Sequence, residues 1–256
     1  MTDATPPLLD VRDLTVTYGG VAAVDGVDLM LGAGEVVGLI GPNGAGKTSC
    51  IDAMGGFVRP RRGQVMLDGR DISSLPPHER VAAGLARTFQ SCELFPDLTV
   101  RDNLAVAAHR PTRWAMLLDA VAPRRSPAAG RAAELLDLFD LGDVADALPG
   151  HVPHGRQRVV DLARALATDP RVVLLDEPAA GLDTDETAAL GAQLRRLPEL
   201  GVSALLVDHD MGLVMGSCSR VLVLDLGRLI ASGPPAEVQA DPAVVHAYLG
   251  ETAAPA

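Results

Sequence analysis

Short apolar runs alternate with turn residues at the start of the chain. Residues 8–34 carry such runs, with turn signals at Gly19-Gly20 and Asp25-Gly26, and this pattern predicts an antiparallel β lobe. The next apolar run, residues 35–40, stops at Gly41-Pro42 as a buried strand would. A helix is expected after it, from about Lys47 to Gly55.

The middle of the chain follows a different period. Between residues 91 and 155 apolar side chains recur at helical spacing, as at Leu135 and Phe139, which predicts a mainly helical lobe. Trp114 and residues 116–118 form an apolar patch within it. This patch is either a contact for a partner protein or, more simply, part of a local core.

Strands and helices alternate after that lobe. The patterns predict a helix over residues 156–168, a strand over 172–176, a helix over 184–197 and a strand over 202–207. Such alternation is typical of a parallel sheet covered by helices. A terminal hairpin is expected around residues 225–227.

These elements predict an α/β fold: a core with a parallel sheet, an N-terminal antiparallel β lobe and an inserted helical lobe. We assign residues 35–90 and 156–250 to the core and treat 6–250 as a single domain. Residues 251–256 are expected to form a loose tail.

Composition narrows the functional classes. The net charge of the 256-residue chain is −11, which argues against nucleic acid as the main partner because phosphate contacts need clustered Lys and Arg. Cys50, Cys92 and Cys218 show no metal-ligand spacing, as expected in a reduced, cytosolic setting. No apolar run approaches the length of a membrane-spanning helix, so any membrane role is expected to pass through another protein.

A glycine-rich loop after the run 35–40 carries the strongest chemical signal. It fits the pattern GxxxxGK[ST] and consists of Gly41, Pro42, Asn43, Gly44, Ala45, Gly46, Lys47 and Thr48, with Ser49 following in the helix. Its main-chain N–H groups and the helix N-terminus can surround phosphates, Lys47 adds a full positive charge, and the Thr48 hydroxyl can ligate Mg²⁺. A chance match is the alternative, but the position between a strand and a helix favours nucleotide binding.

Two adjacent acids, Asp176 and Glu177, end the apolar run 172–176. Burying both without partners would cost several kcal/mol, so a compensating charge is expected. In a phosphate-loop fold Mg²⁺ supplies it through the first acid, and the second acid can polarise the attacking water. A strand ending in two acids is more often a solvated strand exit, but the upstream loop favours the catalytic interpretation.

Three further residues are weaker candidates. His209 follows the predicted strand 202–207, where ligands collect at the edge of a parallel sheet, although an exposed strand end explains it equally simply. Gln90 follows another strand and carries almost no information alone. Tyr18 could stack on adenine or simply pack in a hairpin.

In this order, these motifs resemble those of the nucleotide-binding subunits of ABC transporters, a P-loop NTPase family, over nearly the whole chain. The resemblance implies bound ATP and Mg²⁺, with Thr48, Gln90 and Asp176 at the metal. It also implies that Glu177, His209 and Gln90 serve catalysis, and it identifies residues 179–183, which end at Asp183, as the D-loop. Tyr18 is implied as the adenine-stacking residue.

The signature motif departs from the family pattern LSGGQ. The matching stretch is Val152–Arg156, in which Gly155 is kept and Pro153 replaces the usual serine. The resemblance implies that the following helix points its N-terminus at the γ-phosphate bound by the partner subunit. We expect a working site because main-chain amides and the helix dipole are retained, with slow hydrolysis as the consequence of the lost hydroxyl. Arg156 is expected to add a cationic contact.

A finer resemblance concerns residues 95–104, 208–211 and 241–250, which look like the longer ATPase subunit of branched-chain amino acid importers. It implies a second ATPase subunit (identical or different), transmembrane permeases, an external solute-binding protein acting indirectly, and a place at the cytoplasmic face of the membrane. The main alternative is the ATPase of an ABC exporter of lipid or lipopolysaccharide. A P-loop kinase and a soluble ABC ATPase of DNA repair or translation fit the motifs less well.

Overall fold

The computed structural model describes residues 6–109 and 127–251, so the patch at Trp114 and 116–118 and the tail residues 252–256 lie outside the described residues. The chain divides into two compact units. The core unit comprises the residues up to Gln90 and those from Arg171 onward, and the helical unit is Ser91–Pro170.

Within the described ranges, ten strands form a four-stranded and a six-stranded sheet, both in the core unit. The strands are β1 (Leu9–Tyr18), β2 (Val21–Leu31), β3 (Val36–Ile40), β4 (Arg62–Leu67), β5 (Arg70–Asp71), β6 (Leu85–Arg87), β7 (Val172–Asp176), β8 (Ser203–Val207), β9 (Arg220–Asp225) and β10 (Arg228–Gly233).

The helices in the described part of the chain follow the predicted alternation. They are α1 (Lys47–Gly55), α2 (Pro77–Ala83), α3 (Val100–Ala108), α4 (Pro127–Leu138), α5 (His154–Ala167), α6 (Thr184–Arg196), α7 (Met211–Ser217), α8 (Pro235–Ala240) and α9 (Pro242–Glu251). Short 3₁₀ turns occupy Gly142–Val144, Pro149–His151 and Leu197–Leu200. No helix within these ranges is long and apolar enough to cross a membrane.

The smaller sheet is antiparallel, with the order β2-β1-β4-β5. The turn expected at Gly19-Gly20 joins β1 to β2, but the turn expected at Asp25-Gly26 is wrong, because β2 continues through both residues. The register against β1 shifts there, and Gly26 has φ +68°, so the Asp-Gly pair forms an irregularity within the strand rather than a hairpin turn. The sheet also includes β4 and β5, although the sequence pattern assigns their residues to the core, because the period of one strand does not reveal its partner.

The larger sheet has the order β10-β9-β3-β8-β7-β6 and is parallel except for the edge strand β10. All residues of β3, β7 and β8 are buried, as expected for central strands with both faces covered. Because β3, β8, β7 and β6 are parallel neighbours, the loops after their carboxyl ends meet at one edge of the sheet. This arrangement brings Gln90, Glu177 and His209 together at that edge.

The helical unit is built from α3, α4 and α5, which pack against one another. Leu104 of α3, Leu135 of α4 and Val160 of α5 are among its fully buried side chains. The side-chain amide of Asn103, also fully buried, donates to three main-chain carbonyls before and at the start of α3. The sequence pattern assigns residues 156–170 to the core, whereas α5 groups with the helical unit because its partners are α3 and α4.

Candidate functional site

Two glycines allow the loop after β3 to fold closely against the rest of the core unit. Gly41 has φ +151°, and a Cβ added there would overlap the main-chain oxygen of Leu224. Gly46 has φ +103°, and a Cβ there would overlap the main-chain oxygen of Ala23. Only glycine suits these two positions, because both need a positive φ and neither has room for a side chain.

No side chain caps the start of α1. The N-cap is Gly46, which has no side chain that could cap the helix, and the first turn contains no acidic residue. The first N–H groups of a helix have no partner within the helix, and they carry partial positive charge. The loop and this helix start therefore form a site for an anion such as a phosphate group.

Lys47 lies over the loop from which it comes. Its Nζ donates to the carbonyl oxygens of Gly41 at 2.6 Å and Pro42 at 2.8 Å. Asn43, Gly44 and Thr48 are exposed, whereas Pro42 and Ala45 are buried and anchor the loop. The ammonium group is thereby held against the first two residues of the loop.

Asp176 ends β7, and its side chain is only 8% exposed. The positive charge of Arg87 compensates the charge of this carboxylate. Nη2 of Arg87 donates to Oδ2 of Asp176 at 2.8 Å, while Nη1 donates to Oδ1 of Asp52 in α1 at 2.6 Å. The guanidinium carbon lies 5.0 Å from the ring centre of Phe57 and 5.1 Å from that of Phe89. Sequence reasoning missed Arg87, because nothing local distinguishes the last residue of β6.

Glu177 has an unusual backbone conformation for a non-glycine residue, with φ +46°. Its N–H donates to the carbonyl oxygen of Val207 at 2.7 Å, which ties the turn after β7 to the end of β8. Such strained conformations persist where the surrounding structure holds them, and they are concentrated at functional sites. The conformation turns the chain directly after the buried strand and sets the direction of the carboxylate.

Three candidate residues from three different loops meet at this carboxylate. Nε2 of Gln90 donates to Oε2 of Glu177 at 2.8 Å. Nδ1 of His209 lies 3.9 Å from the same oxygen, which is too far for a direct hydrogen bond. The His209 side chain is 68% exposed, so it stands at the open side of the site. The structure therefore places Gln90, Glu177 and His209 together, as expected for a group that handles a water molecule.

Asp208 is a second residue that sequence reasoning missed. It is 1% exposed, and its two carboxylate oxygens accept from the N–H of Ala179 at 3.0 Å and of Asp210 at 2.9 Å. It therefore fixes the loop after β7 against the loop that carries His209. A buried strand followed by Asp-His-Asp was the available signal, but it drew attention to the histidine alone.

Asp183 caps a helix, and Tyr18 ends a strand. Asp183 is the N-cap of α6, where its carboxylate accepts from the N–H of Glu186 at 2.8 Å and the Glu186 carboxylate accepts in return from the N–H of Asp183 at 3.2 Å. Tyr18 ends β1 opposite Val21, and 49% of it is exposed. Its ring is thus accessible to a flat ligand.

The start of α5 in the helical unit resembles the start of α1. Its N-cap is Pro153, no side chain caps it, the first turn contains no acid, and Gly155 is buried. Arg156 forms two hydrogen bonds of 2.8 and 2.7 Å with the carboxylate of Asp143, and it lowers the pKa of that carboxyl group. Arg156 would therefore have to give up its contact with Asp143, within its own unit, to form the expected cationic contact with a nucleotide.

Comparison with known proteins identifies the family. Residues 24–180, more than half of the chain, match the family model of the ABC transporter. The chain belongs to the ABC transporter ATP-binding proteins. Residues 228–254 additionally match the branched-chain amino acid ATP-binding cassette transporter model.

The ABC family membership is supported by full-length relatives. The high-affinity branched-chain amino acid transport ATP-binding protein BraF of Pseudomonas aeruginosa is 42% identical over 96% of this chain and 98% of its own. The lipopolysaccharide export system ATP-binding protein LptB of Acidithiobacillus ferridurans is 37% identical over 95% and 97%. The ADP conformation of MJ1267, an ATP-binding cassette of an ABC transporter, matches with a TM-score of 0.85 and 28% identity over 96% and 100%.

These findings confirm the predicted fold class and the prediction that this ABC transporter protein binds and hydrolyses ATP, and they place it with the branched-chain amino acid type. No cluster of three or more His, Cys, Asp or Glu side chains that could hold a metal occurs within residues 6–109 and 127–251. Mg²⁺ in nucleotide sites is typically held by one or two carboxylates together with substrate phosphates and water. The exposed Thr48 hydroxyl and the single acid Asp176 therefore fit a magnesium ion that arrives with the nucleotide.

Proposed function

We propose that this ABC transporter ATP-binding protein powers the import of branched-chain amino acids or related small polar solutes. The observation that carries the proposal is the match of residues 228–254 to a model specific for that transporter type, together with 42% identity to BraF. The LptB relative is slightly more distant at 37% identity, so lipopolysaccharide export is the competing function.

The chain works in this proposal with a second ATPase subunit and with separate permeases, and it lies against the cytoplasmic face of the membrane. ATP bound at the loop 41–48 of one subunit is covered by the start of α5, with Gly155, from the other. Closure of the two ATPase subunits on ATP then changes the orientation of the permeases, and hydrolysis lets the two ATPase subunits separate again. Uncapped helix starts of the kind seen at α1 and α5 suit this shared use of one triphosphate.

Each site residue has a defined part in the proposed reaction. The loop amides and Lys47 bind the β- and γ-phosphates, and Tyr18 stacks on adenine. Thr48, Gln90 and Asp176 would hold Mg²⁺, which neutralises charge on the phosphates when it is bound. Glu177 accepts a proton from the attacking water, which Gln90 helps to place, and His209 contacts the γ-phosphate. The 2.8 Å contact between Gln90 and Glu177 supports this division of roles.

The reaction is tested with Glu177→Gln, which keeps the shape of the side chain and removes the base. Turnover is expected to fall by about 10²–10⁴-fold, while ATP binding persists and a nucleotide-bound dimer accumulates. Phosphate release and dimer mass report the two effects. Glu199→Gln, the same change at an exposed acid of the core unit, is the matched control and should hydrolyse ATP at the native rate. Native turnover by Glu177→Gln would remove Glu177 as the base.

The solute is tested separately, with the ATPase reconstituted in liposomes together with the permeases and binding protein encoded beside it. ATP-dependent uptake of radiolabelled leucine, isoleucine or valine is the expected result. Hydrolysis that is stimulated by lipopolysaccharide and unaffected by the amino acids would transfer the protein to the export function instead.

A further inference from the structure

The carboxylate of Asp176 already has a cationic partner before any metal is considered. Arg87 binds one of its two oxygens, and both side chains are only 8% exposed. A charge-assisted hydrogen bond of 2.8 Å in such a buried place is strong and directional. Whatever else binds Asp176 must therefore share this carboxylate with Arg87.

Arg87 also connects parts of the chain that lie far apart in sequence. Its second terminal nitrogen binds Asp52 on α1, the helix that starts at the phosphate loop. Its guanidinium packs beside the rings of Phe57 and Phe89, which themselves meet edge to face at 5.4 Å, and Phe89 directly precedes Gln90. One planar cation thus contacts the phosphate-loop helix, the strand end with the acids and the loop of Gln90.

We propose that Arg87 is a positioning residue that holds the Asp176 carboxylate in place and lowers its affinity for the metal, and that Asp52 limits this effect by binding the same guanidinium. The inference rests on the magnesium site of the proposed function. The reasoning is electrostatic: a guanidinium on Oδ2 withdraws negative charge from the carboxylate that the metal needs. Asp52 competes for the same guanidinium and so limits that effect.

Substitutions of Arg87 and of Asp52 are therefore expected to change the metal affinity in opposite directions. Arg87→Met leaves the full charge of Asp176 for the metal, so metal binding should become about tenfold tighter, the size of effect that a neighbouring arginine has on a carboxylate. Asp52→Asn leaves Arg87 bound to Asp176 alone, so metal binding should become about threefold weaker. This change is smaller than the one expected for Arg87→Met because Asp52 is partly exposed.

The measurement is the dissociation constant of Mn²⁺, followed by electron paramagnetic resonance, for the full-length protein saturated with ADP. Steady-state hydrolysis at saturating Mg²⁺ is measured beside it. We expect kcat of Arg87→Met to fall, because the loop of Phe89 and Gln90 loses its support, while KM for ATP stays within about threefold because the phosphate loop is untouched.

Arg220→Met is the matched control. Arg220 is also an arginine of the core unit that binds a carboxylate, Glu35, through two nitrogens at 2.9 and 3.1 Å, but it lies on β9, outside the site. It removes the same charge from the same unit. Its Mn²⁺ affinity should equal that of the native protein, which separates the local contact from a general effect of net charge.

The outcomes are distinct. Affinity shifts of opposite sign for Arg87→Met and Asp52→Asn, with none for Arg220→Met, support the inference. Shifts of the same sign, or no shift, overturn it and leave Arg87 as a purely structural ion pair. Absence of Mn²⁺ binding by the native ADP complex contradicts the magnesium site of the proposed function itself. If Arg87→Met does not fold, Asp52→Asn decides: Mn²⁺ binding weaker than that of the native protein supports the inference, and equal or tighter binding overturns it.

Discussion

The helices α1 and α6 start at the same edge of the same sheet, one after β3 and the other shortly after β7, yet their ends are built in opposite ways. The start of α6 is closed by a reciprocal pair, Asp183 and Glu186, and the first turn carries a further acid, Asp185. The start of α1 has a glycine N-cap and no acid in its first turn. The helix that is expected to face phosphate is the one whose start is left open.

Stabilisation of α1 is found at its other end. Gly56 closes the helix in the left-handed conformation, and Arg80, only 2% exposed, donates to the carbonyl oxygens of Ala53 and Met54 at 2.9 and 2.6 Å. A cation at a helix C-terminus also interacts favourably with the helix dipole. A helix used for ligand binding can thus be held from the end that the ligand does not touch.

The largest loss of stability is expected when the contacts of Arg80 at the C-terminal end of α1 are removed. Arg80→Met should lower the free energy of unfolding by about 3 kcal/mol, because buried carbonyl oxygens lose their donor. Arg80 also donates to the carbonyl oxygens of Leu75 and Ser73, so several groups are affected at once. Urea unfolding followed by circular dichroism measures the change. Arg228→Met, at an exposed ion pair with Asp25, should cost under about 1 kcal/mol, and equal losses for the two variants would contradict this account.

Features that depend on neighbouring residues could be predicted from the sequence, and features that depend on distant partners could not. The phosphate loop, its helix and the strand 172–176 were predicted with their observed bounds, because glycine spacing and apolar runs are local signals. Arg80 and Arg87 were missed because the partners that give them their roles, Met54 for Arg80 and Asp176 for Arg87, lie 26 and 89 residues away in sequence. The Asp25-Gly26 turn was wrong because pairing with β1 overrides the local turn preference.

A smaller effect is expected at the closed start of α6. Asp183→Ala removes the cap and should lower the free energy of unfolding by about 1 kcal/mol. Asp183→Asn keeps an oxygen that can accept from the Glu186 N–H, so its stability should stay close to native. Thermal unfolding of both variants gives the comparison, and ATP hydrolysis is measured on each.

Hydrolysis then distinguishes the two roles of Asp183. If both variants hydrolyse ATP slowly although Asp183→Asn is stable, the carboxylate has a role at the nucleotide in addition to its cap. If only Asp183→Ala is slow, the cap explains the effect. Unchanged stability of Asp183→Ala would contradict the importance of the cap.

The smallest expected effect comes from making α1 resemble α6. Ser49 is the third residue of α1, the position that Glu186 occupies in α6. In Ser49→Glu an acid joins the first turn, which should stabilise the ligand-free protein by about 0.5 kcal/mol through the helix dipole. The same charge opposes a triphosphate at the helix start, so ATP should bind about two- to fivefold more weakly, and the weakening should shrink as salt screens the repulsion.

Ser49→Gln adds the same bulk without charge and should show neither effect. Calorimetric titration with ATP at low and high salt, beside thermal unfolding without ligand, tests both signs. If Ser49→Glu bound ATP more weakly without any gain in ligand-free stability, and Ser49→Gln did the same, crowding rather than charge would explain the result, and the open start of α1 would then reflect space for the phosphates more than the avoidance of acids.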